Sequence, residues 1–450
     1  MTKWNKITPA EMLSDLIKIN TVNPPGNETA AAVYLKKIFD EAGIQSEIIE
    51  PEEGRGSLLA RMGNGAENKK KLLYLSHTDV VATGEGWDFD PFSGEIKDGM
   101  VLGRGAMDCK HLLAAQACAM LNIKKENIPM DGELILAAVA DEETGGKLGA
   151  GYLFKNHAHL IKADFAINEG AEKMVYVNNK PVYFIQIGEK GTAFSILRAK
   201  GVSYHGSAPR LGDNAVVKMS KAITTIAERE SETRLIPEVM QLLKDLARIR
   251  DVKFSVDGNA TGAELTRQVR RQVELFKMNK YFSELLLSMT EMTVSVNVVR
   301  GGKKVNVIPD LCEAELDIRI MPGEDRSYVE KQILSSIGED FELDITEYKP
   351  ATFSVTDNDF YRTIERNLKK IVGHDALCLP MITAGSTDSK YFRNAGIPAY
   401  GVDAMQRDFN QDIRLTIHGK NERIDIASLN QLTEYVQNIA TDYLSLSDKR

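Results

Sequence analysis

The segment LLYLSHTD, residues 72–79, joins a short apolar run to a cluster of polar side chains. Two later segments repeat this design, namely LILAAVADEE at 134–143 and ADFAINEG at 163–170. Short, mostly apolar runs of this kind are typical of buried parallel strands. Because helical patterns such as 111–123 lie between them, the sequence predicts βαβ units with right-handed crossovers. Ligands bind beyond the carboxyl ends of such strands, so we expect a site where the polar clusters meet.

The composition describes an ordinary globular chain and excludes several classes of function. Of the 450 residues 43% are apolar, and 64 acidic against 56 basic residues give a net charge of −8, which argues against a nucleic-acid partner. No stretch approaches the roughly 20 apolar residues that span a bilayer, and the start MTKWNKITPAEM lacks the apolar core of a signal peptide. Four cysteines without a CxxC pair suggest neither a disulfide framework nor a Cys-rich zinc module. We therefore expect a cytoplasmic protein without a membrane partner.

The character of the sequence changes near residue 184 and changes back near residue 348. Between these points, two groups of antiparallel-looking strands are each accompanied by a helix, which predicts an α+β domain inserted into the α/β domain. We therefore assign residues 1–183 and 348–450 to one domain and residues 184–347 to the insertion. Two further amphipathic helices in the insertion, around Leu242 and Val269, can pack either on this domain or against a partner.

The polar side chains that follow the predicted strands are of the types that bind metal ions. Together with similar residues on other loops they comprise two imidazoles and five carboxylates: His77, His418, Asp79, Asp108, Glu142, Glu143 and Glu169. Each has an ordinary explanation alone; Asp108, for example, opens a helix and can act as its cap. Jointly they predict a metal site whose nitrogen and oxygen ligands suit Zn²⁺, with Co²⁺ and Mn²⁺ as alternatives. A bridging carboxylate would allow a pair of ions about 3.5 to 4 Å apart.

The motifs around these residues resemble one enzyme family, the dinuclear zinc aminoacylase and carboxypeptidase group, which includes acetylornithine deacetylase and succinyl-diaminopimelate desuccinylase. They occur in the family's order and span nearly the whole chain. The matching segments are SHTDVV (76–81), WDFDPFSG (87–94), GRGAMDCK (103–110), DEETGG (141–146), NEG (168–170), YHGSAP (204–209), NVIP (306–309), DIR (317–319), GSTDS (385–389) and HGKNERI (418–424).

The resemblance implies an α/β zinc-hydrolase domain with a mixed, mostly parallel sheet flanked by helices. The insertion would be a ferredoxin-like α+β domain that acts as a lid and forms a homodimer. Each subunit would bind two Zn²⁺ ions. By the same resemblance, His77 and Glu169 would hold one zinc, Glu143 and His418 the other, and Asp108 would bridge them.

The resemblance also assigns the remaining roles at the site. Asp79 would orient His77 and fix its tautomer, and Glu142 would be the general base that takes a proton from the attacking water. His205 would reach the partner subunit's site and help stabilise the oxyanion, although it can also be an ordinary loop histidine. The expected contacts to the substrate come from Asn306, Arg319, Gly385, Ser386 and Thr387.

Three details affect the expected function. Arg319 suits a substrate carboxylate but stands beside Asp317, with which it can form a plain ion pair. Cys109 departs from the aliphatic residue or Met of the resembling proteins, which should alter packing rather than metal ligation. Glu169 in place of Asp is, in that family, commoner among carboxypeptidases and deacylases than among aminopeptidases.

We therefore expect a two-zinc amidohydrolase that cleaves a C–N amide bond next to a free carboxylate. Its substrates would be N-acyl amino acids, dipeptides or the C-terminal residue of a short peptide. The alternatives are an aminopeptidase acting on free-amine peptides and a non-catalytic scaffold that keeps the fold. The scaffold is disfavoured because the residues expected to decay first, such as His77, Glu142 and His418, are all present.

Overall fold

The structure is a computed structural model that describes residues 3–172, 174–338 and 340–445. Met1 and Thr2, which begin the segment predicted to lack a signal peptide, lie outside the described residues. Within the described ranges, no helix combines the length and the apolar character needed to cross a membrane.

The strands are named in chain order. They are β1 (Gln45–Ile49), β2 (Ser57–Gly63), β3 (Lys70–His77), β4 (Ile96–Lys97), β5 (Met100–Leu102), β6 (Gly132–Val139), β7 (Phe165–Asn168), β8 (Val175–Val177), β9 (Lys180–Glu189), β10 (Gly191–Lys200), β11 (Thr293–Gly301), β12 (Leu311–Ile320), β13 (Phe341–Lys349), β14 (Thr352–Phe353), β15 (Leu377–Thr383), β16 (Ala399–Gly401) and β17 (Arg423–Asp425).

The helices are named in the same way. They are α1 (Pro9–Lys18), α2 (Glu28–Glu41), α3 (Lys110–Lys125), α4 (Ala150–Ile161), α5 (Ala215–Glu228), α6 (Pro237–Arg250), α7 (Gly262–Leu275), α8 (Lys280–Ser288), α9 (Arg326–Ile337), α10 (Asp359–Val372), α11 (Ser389–Asn394) and α12 (Ile426–Tyr443).

The chain folds into two compact units. The first unit comprises Met1–Ile187, Ser354–Met381 and Thr387–Arg450, and the second comprises Gly188–Phe353 and Ile382–Ser386. The second unit is therefore formed almost entirely by one continuous segment that interrupts the first.

The first unit is built on a mixed sheet, which confirms the predicted fold class. Its strands lie in the order β1-β2-β6-β3-β7-β16-β9. Strand β3 is parallel to β6 and to β7, and β16 is parallel to β7, whereas β2 is antiparallel to β1 and to β6. The apolar runs that predicted β3, β6 and β7 thus form the three central parallel strands.

Helices cover the central strands on both faces, so these strands are apolar on both sides. One set of alternating side chains, including Leu73 and Ile135, packs against Leu153 of α4 and Phe392 of α11. Tyr74 belongs to the set of side chains on the opposite face. It is buried, and its hydroxyl donates a hydrogen bond to the backbone oxygen of Val436 in α12. Double-sided burial is the reason that the sequence of these strands lacks an alternating polar pattern.

The second unit contains a four-stranded antiparallel sheet in the order β11-β12-β10-β13. The chain order β10-α5-β11-β12-α9-β13 is the split βαβ arrangement of a ferredoxin-like fold. Its core is formed by residues such as Leu197, Met219, Leu316 and Ile333. Helices α6, α7 and α8 are inserted between α5 and β11.

The two additional amphipathic helices bury their apolar faces within this chain. Leu242 and Leu246 of α6 are completely buried, as is Val269 of α7. Of the two packing arrangements that the sequence leaves open, the structure therefore has the intramolecular one.

Candidate functional site

Three neighbouring strands of the first unit end at one edge of the sheet and deliver polar side chains there. His77 is the last residue of β3 and lies opposite Val139, the last residue of β6. Glu142 and Glu143 follow β6 in a short 3₁₀ turn. Glu169 comes directly after β7, the other neighbour of β3. Because parallel strands share their carboxyl-terminal edge, the topology itself places these side chains on one side of the sheet.

The side chains form a compact cluster around Asp108. His77 Nε2 lies 3.1 Å from Asp108 Oδ1 and 3.5 Å from Glu169 Oε1. His418 Nε2 lies 3.0 Å from the other oxygen, Asp108 Oδ2, and 3.3 Å from Glu143 Oε2. Each oxygen of the Asp108 carboxylate therefore faces a different imidazole, and each imidazole faces one further carboxylate.

This donor set could hold a divalent cation. Ligand atoms of His77, Asp108 and Glu143 all lie within 4.8 Å of one another. The Oε1 atom of Glu143 is buried and has no hydrogen-bond partner among the described residues. A buried carboxylate oxygen without a partner is costly unless a cation satisfies it. Imidazole nitrogen and carboxylate oxygen are ligands that zinc accepts.

The pKa values of the cluster are shifted because several carboxylates and two imidazoles lie close together. Hydrogen bonds to Asp108 and Glu143 raise the pKa of His418 to about 10. Burial opposes ionisation of Asp108, but the hydrogen bonds from His418 and His77 hold its pKa well below the usual range. Burial raises the pKa of Glu169 to about 7, against the opposing effect of His77. The neighbouring carboxylates thus favour the protonated form of the His418 imidazole.

Asp79 connects His77 to the turn that carries the two glutamates. The Nδ1 atom of His77 lies 2.9 Å from the backbone oxygen of Asp79 and 3.5 Å from its carboxylate. The carboxylate accepts the backbone N–H groups of Glu142 and Glu143, at 3.1 and 3.0 Å, and the amide of Asn23 at 2.9 Å. The side chain of Asp79 therefore fixes the turn, and its backbone oxygen is the closer partner of the imidazole.

Asp141 holds the same turn from its other end. It adopts a left-handed conformation with φ of 73°, which is unfavourable for a residue with a Cβ atom unless its surroundings enforce it. Its Oδ1 atom accepts a hydrogen bond from Arg55 Nη2 at 2.9 Å, and Arg55 also contacts Glu28 Oε1 at 2.9 Å. All three side chains are buried. This ionic network positions the Glu142–Thr144 turn.

The general-base candidate Glu142 is half-buried at the start of this turn. Burial and the nearby Glu169 raise the pKa of Glu142 well above its usual range. A carboxylate with a raised pKa accepts a proton more readily, which is the property that a general base near neutral pH requires.

Asp108 does not cap helix α3, because the helix begins at Lys110 and its cap position is Cys109. The ordinary explanation for this carboxylate is therefore wrong. The backbone N–H groups of Met107 and Asp108 instead donate to Glu422 Oε1, at 2.7 and 3.0 Å. Glu422 has no predicted role, although it lies within the segment HGKNERI.

Cys109 is completely buried beside the cluster, and burial raises the pKa of its thiol. Its sulfur lies 3.7 Å from the backbone oxygen of His77. The sulfur also falls within 4.8 Å of ligand atoms of His77 and Glu169. His111 is buried as well and lines a cavity of about 110 Å³ with Asp108 and Glu169. Burial lowers the pKa of His111 to about 3 and keeps the imidazole neutral.

The predicted substrate-binding residues are divided between the two units. His205, Asn306, Arg319, Gly385 and Ser386 belong to the second unit, whereas Thr387 belongs to the first. His205 and Asn306 are exposed, and His205 Nδ1 lies 2.7 Å from Ser207 Oγ. Gly385 and Ser386 are also exposed.

Arg319 and Thr387 already have partners within their own units. Arg319 forms a two-point ion pair with Asp317, with Nε–Oδ1 at 2.7 Å and Nη2–Oδ2 at 3.2 Å. Its Nη1 atom donates to Thr192 Oγ1 at 3.3 Å. Thr387 is buried, and its hydroxyl oxygen accepts the backbone N–H of Ser389 at 3.2 Å. The ion pair that the sequence left open for Arg319 is thus present.

Comparison with known proteins finds a matching family and related sequences. The pattern of Peptidase family M20/M25/M40 matches residues 73–442. A probable succinyl-diaminopimelate desuccinylase from Staphylococcus epidermidis is 28% identical over 403 residues, covering 87% of this chain and 88% of that protein.

Two solved structures share the fold. The M20 family metallo-carboxypeptidase Sso-CP2 from Sulfolobus solfataricus has a TM-score of 0.70 at 22% identity, covering 98% of this chain and all of that one. YXEP from Bacillus subtilis, described as a dinuclear metal binding peptidase of family M20, has a TM-score of 0.57 at 14% identity, covering 97% of each chain.

The family match covers most of the chain and includes every residue of the cluster around Asp108. It confirms the resemblance inferred from the sequence motifs and the prediction of a hydrolytic enzyme. The chain belongs to Peptidase family M20/M25/M40 and is a metallohydrolase of that family.

Proposed function

We propose that the protein is a two-zinc amidohydrolase that cleaves a C–N amide bond next to a free carboxylate. The observation that carries this proposal is the position of Asp108, whose two carboxylate oxygens each face a different imidazole at 3.0 to 3.1 Å. A carboxylate placed in this way is suited to bridging two cations, and dinuclear hydrolases use such bridges.

The cluster offers one set of ligands for each ion. His77 and Glu169 would hold one zinc, His418 and Glu143 the other, and Asp108 would contact both. Bound there, the ions would lower the pKa of a water molecule and polarise the carbonyl of the scissile amide. Co²⁺ or Mn²⁺ would also be accepted by these nitrogen and oxygen donors.

Glu142 would move the proton. It opens the Glu142–Thr144 turn, next to the ligand candidate Glu143. We assign it the role of general base, which takes the proton of the attacking water and passes it to the leaving nitrogen. Asp79 would keep this carboxylate in place, because it accepts the N–H group of Glu142 at 3.1 Å.

We propose that residues of the second unit bind the free carboxylate of the substrate. Arg319 presents a planar guanidinium that suits a carboxylate, and it would exchange part of its ion pair with Asp317 for the substrate. Asn306, Gly385, Ser386 and Thr387 would contact the same end. His205 would complete the site of the partner subunit in a homodimer and stabilise the oxyanion. The dimer and the cytoplasmic location remain predictions.

The names of the relatives support a substrate of this kind. A desuccinylase removes an acyl group from an amino group, and Sso-CP2 is named as a metallo-carboxypeptidase. Both reactions break an amide bond in a molecule that bears a carboxylate. We therefore propose N-acyl amino acids, dipeptides and C-terminal residues of short peptides as the substrate classes.

A substrate panel tests the proposal. Zinc-loaded protein is incubated with N-acetyl and N-succinyl amino acids, dipeptides, and the same compounds with the carboxylate converted to an amide. We expect hydrolysis of carboxylate-bearing compounds and about 10- to 100-fold lower kcat/KM for the blocked ones, since the charge-assisted hydrogen bonds between the substrate carboxylate and Arg319 are lost. A strong preference for free-amine peptides, with no effect of blocking the carboxylate, would instead indicate an aminopeptidase.

A further inference from the structure

Two loops that are far apart in the sequence each carry one metal-ligand candidate. Residues 103–108 end in Asp108, and residues 418–422 begin with His418. Both loops belong to the first unit. Their ligand candidates face each other, with His418 Nε2 at 3.0 Å from Asp108 Oδ2. The two side chains can serve one ion only while the loops keep a fixed spacing.

Glu422 joins these loops by collecting backbone N–H groups. Its Oε1 atom accepts hydrogen bonds from the N–H groups of Met107 and Asp108 at 2.7 and 3.0 Å, and its Oε2 atom accepts that of Gly105 at 3.1 Å. The backbone oxygen of Glu422 accepts the N–H of Gly103 at 2.9 Å. Four of the six residues in the Asp108 loop are thus held by one residue of the His418 loop.

Arg104 holds Glu422 in turn and contacts the His418 loop directly. Its Nη1 atom lies 2.6 Å from Glu422 Oε2, and its Nη2 atom donates to the backbone oxygen of Gly419 at 2.7 Å. The exposed fractions of the two side chains are 1% and 0%. The ring of Trp87 lies over the guanidinium of Arg104, with 5.2 Å between the ring centre and Arg104 Cζ. The tryptophan of the segment WDFDPFSG thus packs on this ion pair.

An ion pair that is buried this completely often contributes little to the free energy of unfolding. Desolvation of the two charges can exceed their attraction, and apolar replacements of equal size are often as stable. A carboxylate that accepts three backbone N–H groups from one short loop does, however, define the conformation of that loop closely. The ion pair of Arg104 and Glu422 therefore indicates a role in fixing the conformation of the Asp108 loop, and not only a contribution to the free energy of unfolding.

We propose that Glu422 is a positioning residue of the metal centre, which fixes the loop of Asp108 to the loop of His418 with the help of Arg104. This inference rests on the proposed ligand set. Partners of this outer kind orient the ligands of metal sites, and their loss typically weakens metal binding about 10- to 100-fold.

Metal affinity tests the proposal directly. Metal-free wild type, Glu422→Gln and Glu324→Gln are titrated with Zn²⁺ in competition with a chromophoric chelator. Glu324 is a matched control in the second unit, because it is also a buried carboxylate and accepts a backbone N–H, that of Met321 at 2.7 Å. We expect Glu422→Gln to weaken at least one of two binding steps by about 10-fold or more, and Glu324→Gln to change neither beyond about twofold.

A second comparison separates positioning from the cost of an unpaired charge. Glu422→Gln leaves the Arg104 guanidinium buried without its counter-ion, which is destabilising in itself. The double variant Arg104→Gln/Glu422→Gln removes that charge but does not restore the carboxylate. We expect its zinc affinity to stay low, and full recovery to the wild-type value would overturn the proposal.

The remaining outcomes are also decisive. Zinc affinities of Glu422→Gln within about twofold of wild type, with only a lower unfolding temperature, would show a structural role and refute positioning. If Glu422→Gln fails to fold by circular dichroism, Glu422→Asp is judged by the same criteria, since it keeps the charge but withdraws the oxygens. A wild type that binds no zinc would refute the proposed function, whereas two ions bound equally well by wild type and variant would refute only the role of Glu422.

Discussion

Replacement of Asp79 by Asn tests how the turn of the two glutamates is held. Asp79 is completely buried. Its Oδ1 atom accepts the N–H of Glu142 at 3.1 Å, and its Oδ2 atom accepts the N–H of Glu143 at 3.0 Å and the amide of Asn23 at 2.9 Å. In Asp79→Asn, one of these oxygens becomes an NH₂ group, so at least one backbone N–H then faces a donor.

The expected decrease in the free energy of unfolding follows from the number of hydrogen bonds that Asp79→Asn loses. The better of the two amide orientations loses one hydrogen bond to a charged acceptor and leaves a buried N–H unsatisfied, which together amount to about 2–4 kcal/mol of unfolding free energy. Displacement of Glu142 by about 1 Å should lower kcat about 100-fold. Urea unfolding of the metal-free proteins measures the first quantity and steady-state kinetics of the zinc-loaded proteins the second.

The matched control is Asp325→Asn in the second unit. Asp325 caps helix α9 by accepting the N–H of Tyr328 at 2.8 Å, and Asn is an equally good cap, so we expect no more than about 0.5 kcal/mol of change. If Asp79→Asn were as stable and as active as this control, the assigned role of Asp79 would be refuted.

The stability difference should also depend on pH. Although burial opposes ionisation, hydrogen bonds from His77 and Asn23 lower the pKa of Asp79 in the folded protein. A carboxylate with a lowered pKa stabilises the folded state fully above its ordinary pKa of about 3.9, and this contribution is lost as the pH falls through the lowered value. The gap between wild type and Asp79→Asn should therefore narrow in that acidic range.

Three further predictions concern the chemistry of the site. Glu142→Gln should lower kcat by about 10² to 10⁴-fold, as expected for loss of a general base, while metal analysis still finds the wild-type zinc content; near-wild-type turnover would refute the assignment. Zinc binding at pH 7 should release the proton held by His418, because its carboxylate partners raise its pKa to about 10; calorimetry in buffers of different ionisation enthalpy measures this release, and its absence would refute the predicted displacement of a proton from His418 by zinc. Arg319→Lys should raise KM for carboxylate-bearing substrates more than it lowers kcat, because Lys cannot form a two-point pair; an equal KM would assign Arg319 only to its ion pair with Asp317.

The central sheet and the polar cluster at its carboxyl-terminal edge could be predicted, because their sequence signal is local. The strands around Leu73 and Ile135 are buried on both faces, so they appear as continuous apolar runs. The polar residues that end these runs, such as His77 and Glu142, mark the edge at which parallel strands terminate. Both signals lie within ten residues of the sequence and need no knowledge of long-range contacts.

The connections that shape the site could not be predicted in this way. Glu422 contacts the N–H of Asp108 from 314 positions away, and Asn23 contacts Asp79 from 56 positions away. No periodicity relates such residues, since the contacts depend on how loops meet after the sheet has formed. The motif HGKNERI did contain Glu422, but only the three-dimensional arrangement connects its carboxylate to the loop of Asp108.

The position of Asp108 illustrates the limit of local interpretation. From the sequence, a carboxylate before a helix is well explained as a cap. In the structure the helix begins two residues later, at Lys110, and the carboxylate faces His77 and His418. The local signal for a helix start was correct, but the function of the residue depended on a histidine 310 positions away.

The most direct test of a dinuclear centre is a titration of the metal-free protein with Zn²⁺, followed by both bound metal and hydrolysis of an N-acyl amino acid. The predicted result is activity that is absent without metal and reaches its maximum at two zinc ions per chain, with the stoichiometry reduced in His418→Ala. Full hydrolytic activity in the metal-free protein, or zinc that binds with unchanged stoichiometry after both His77 and His418 are replaced by Ala, would contradict it.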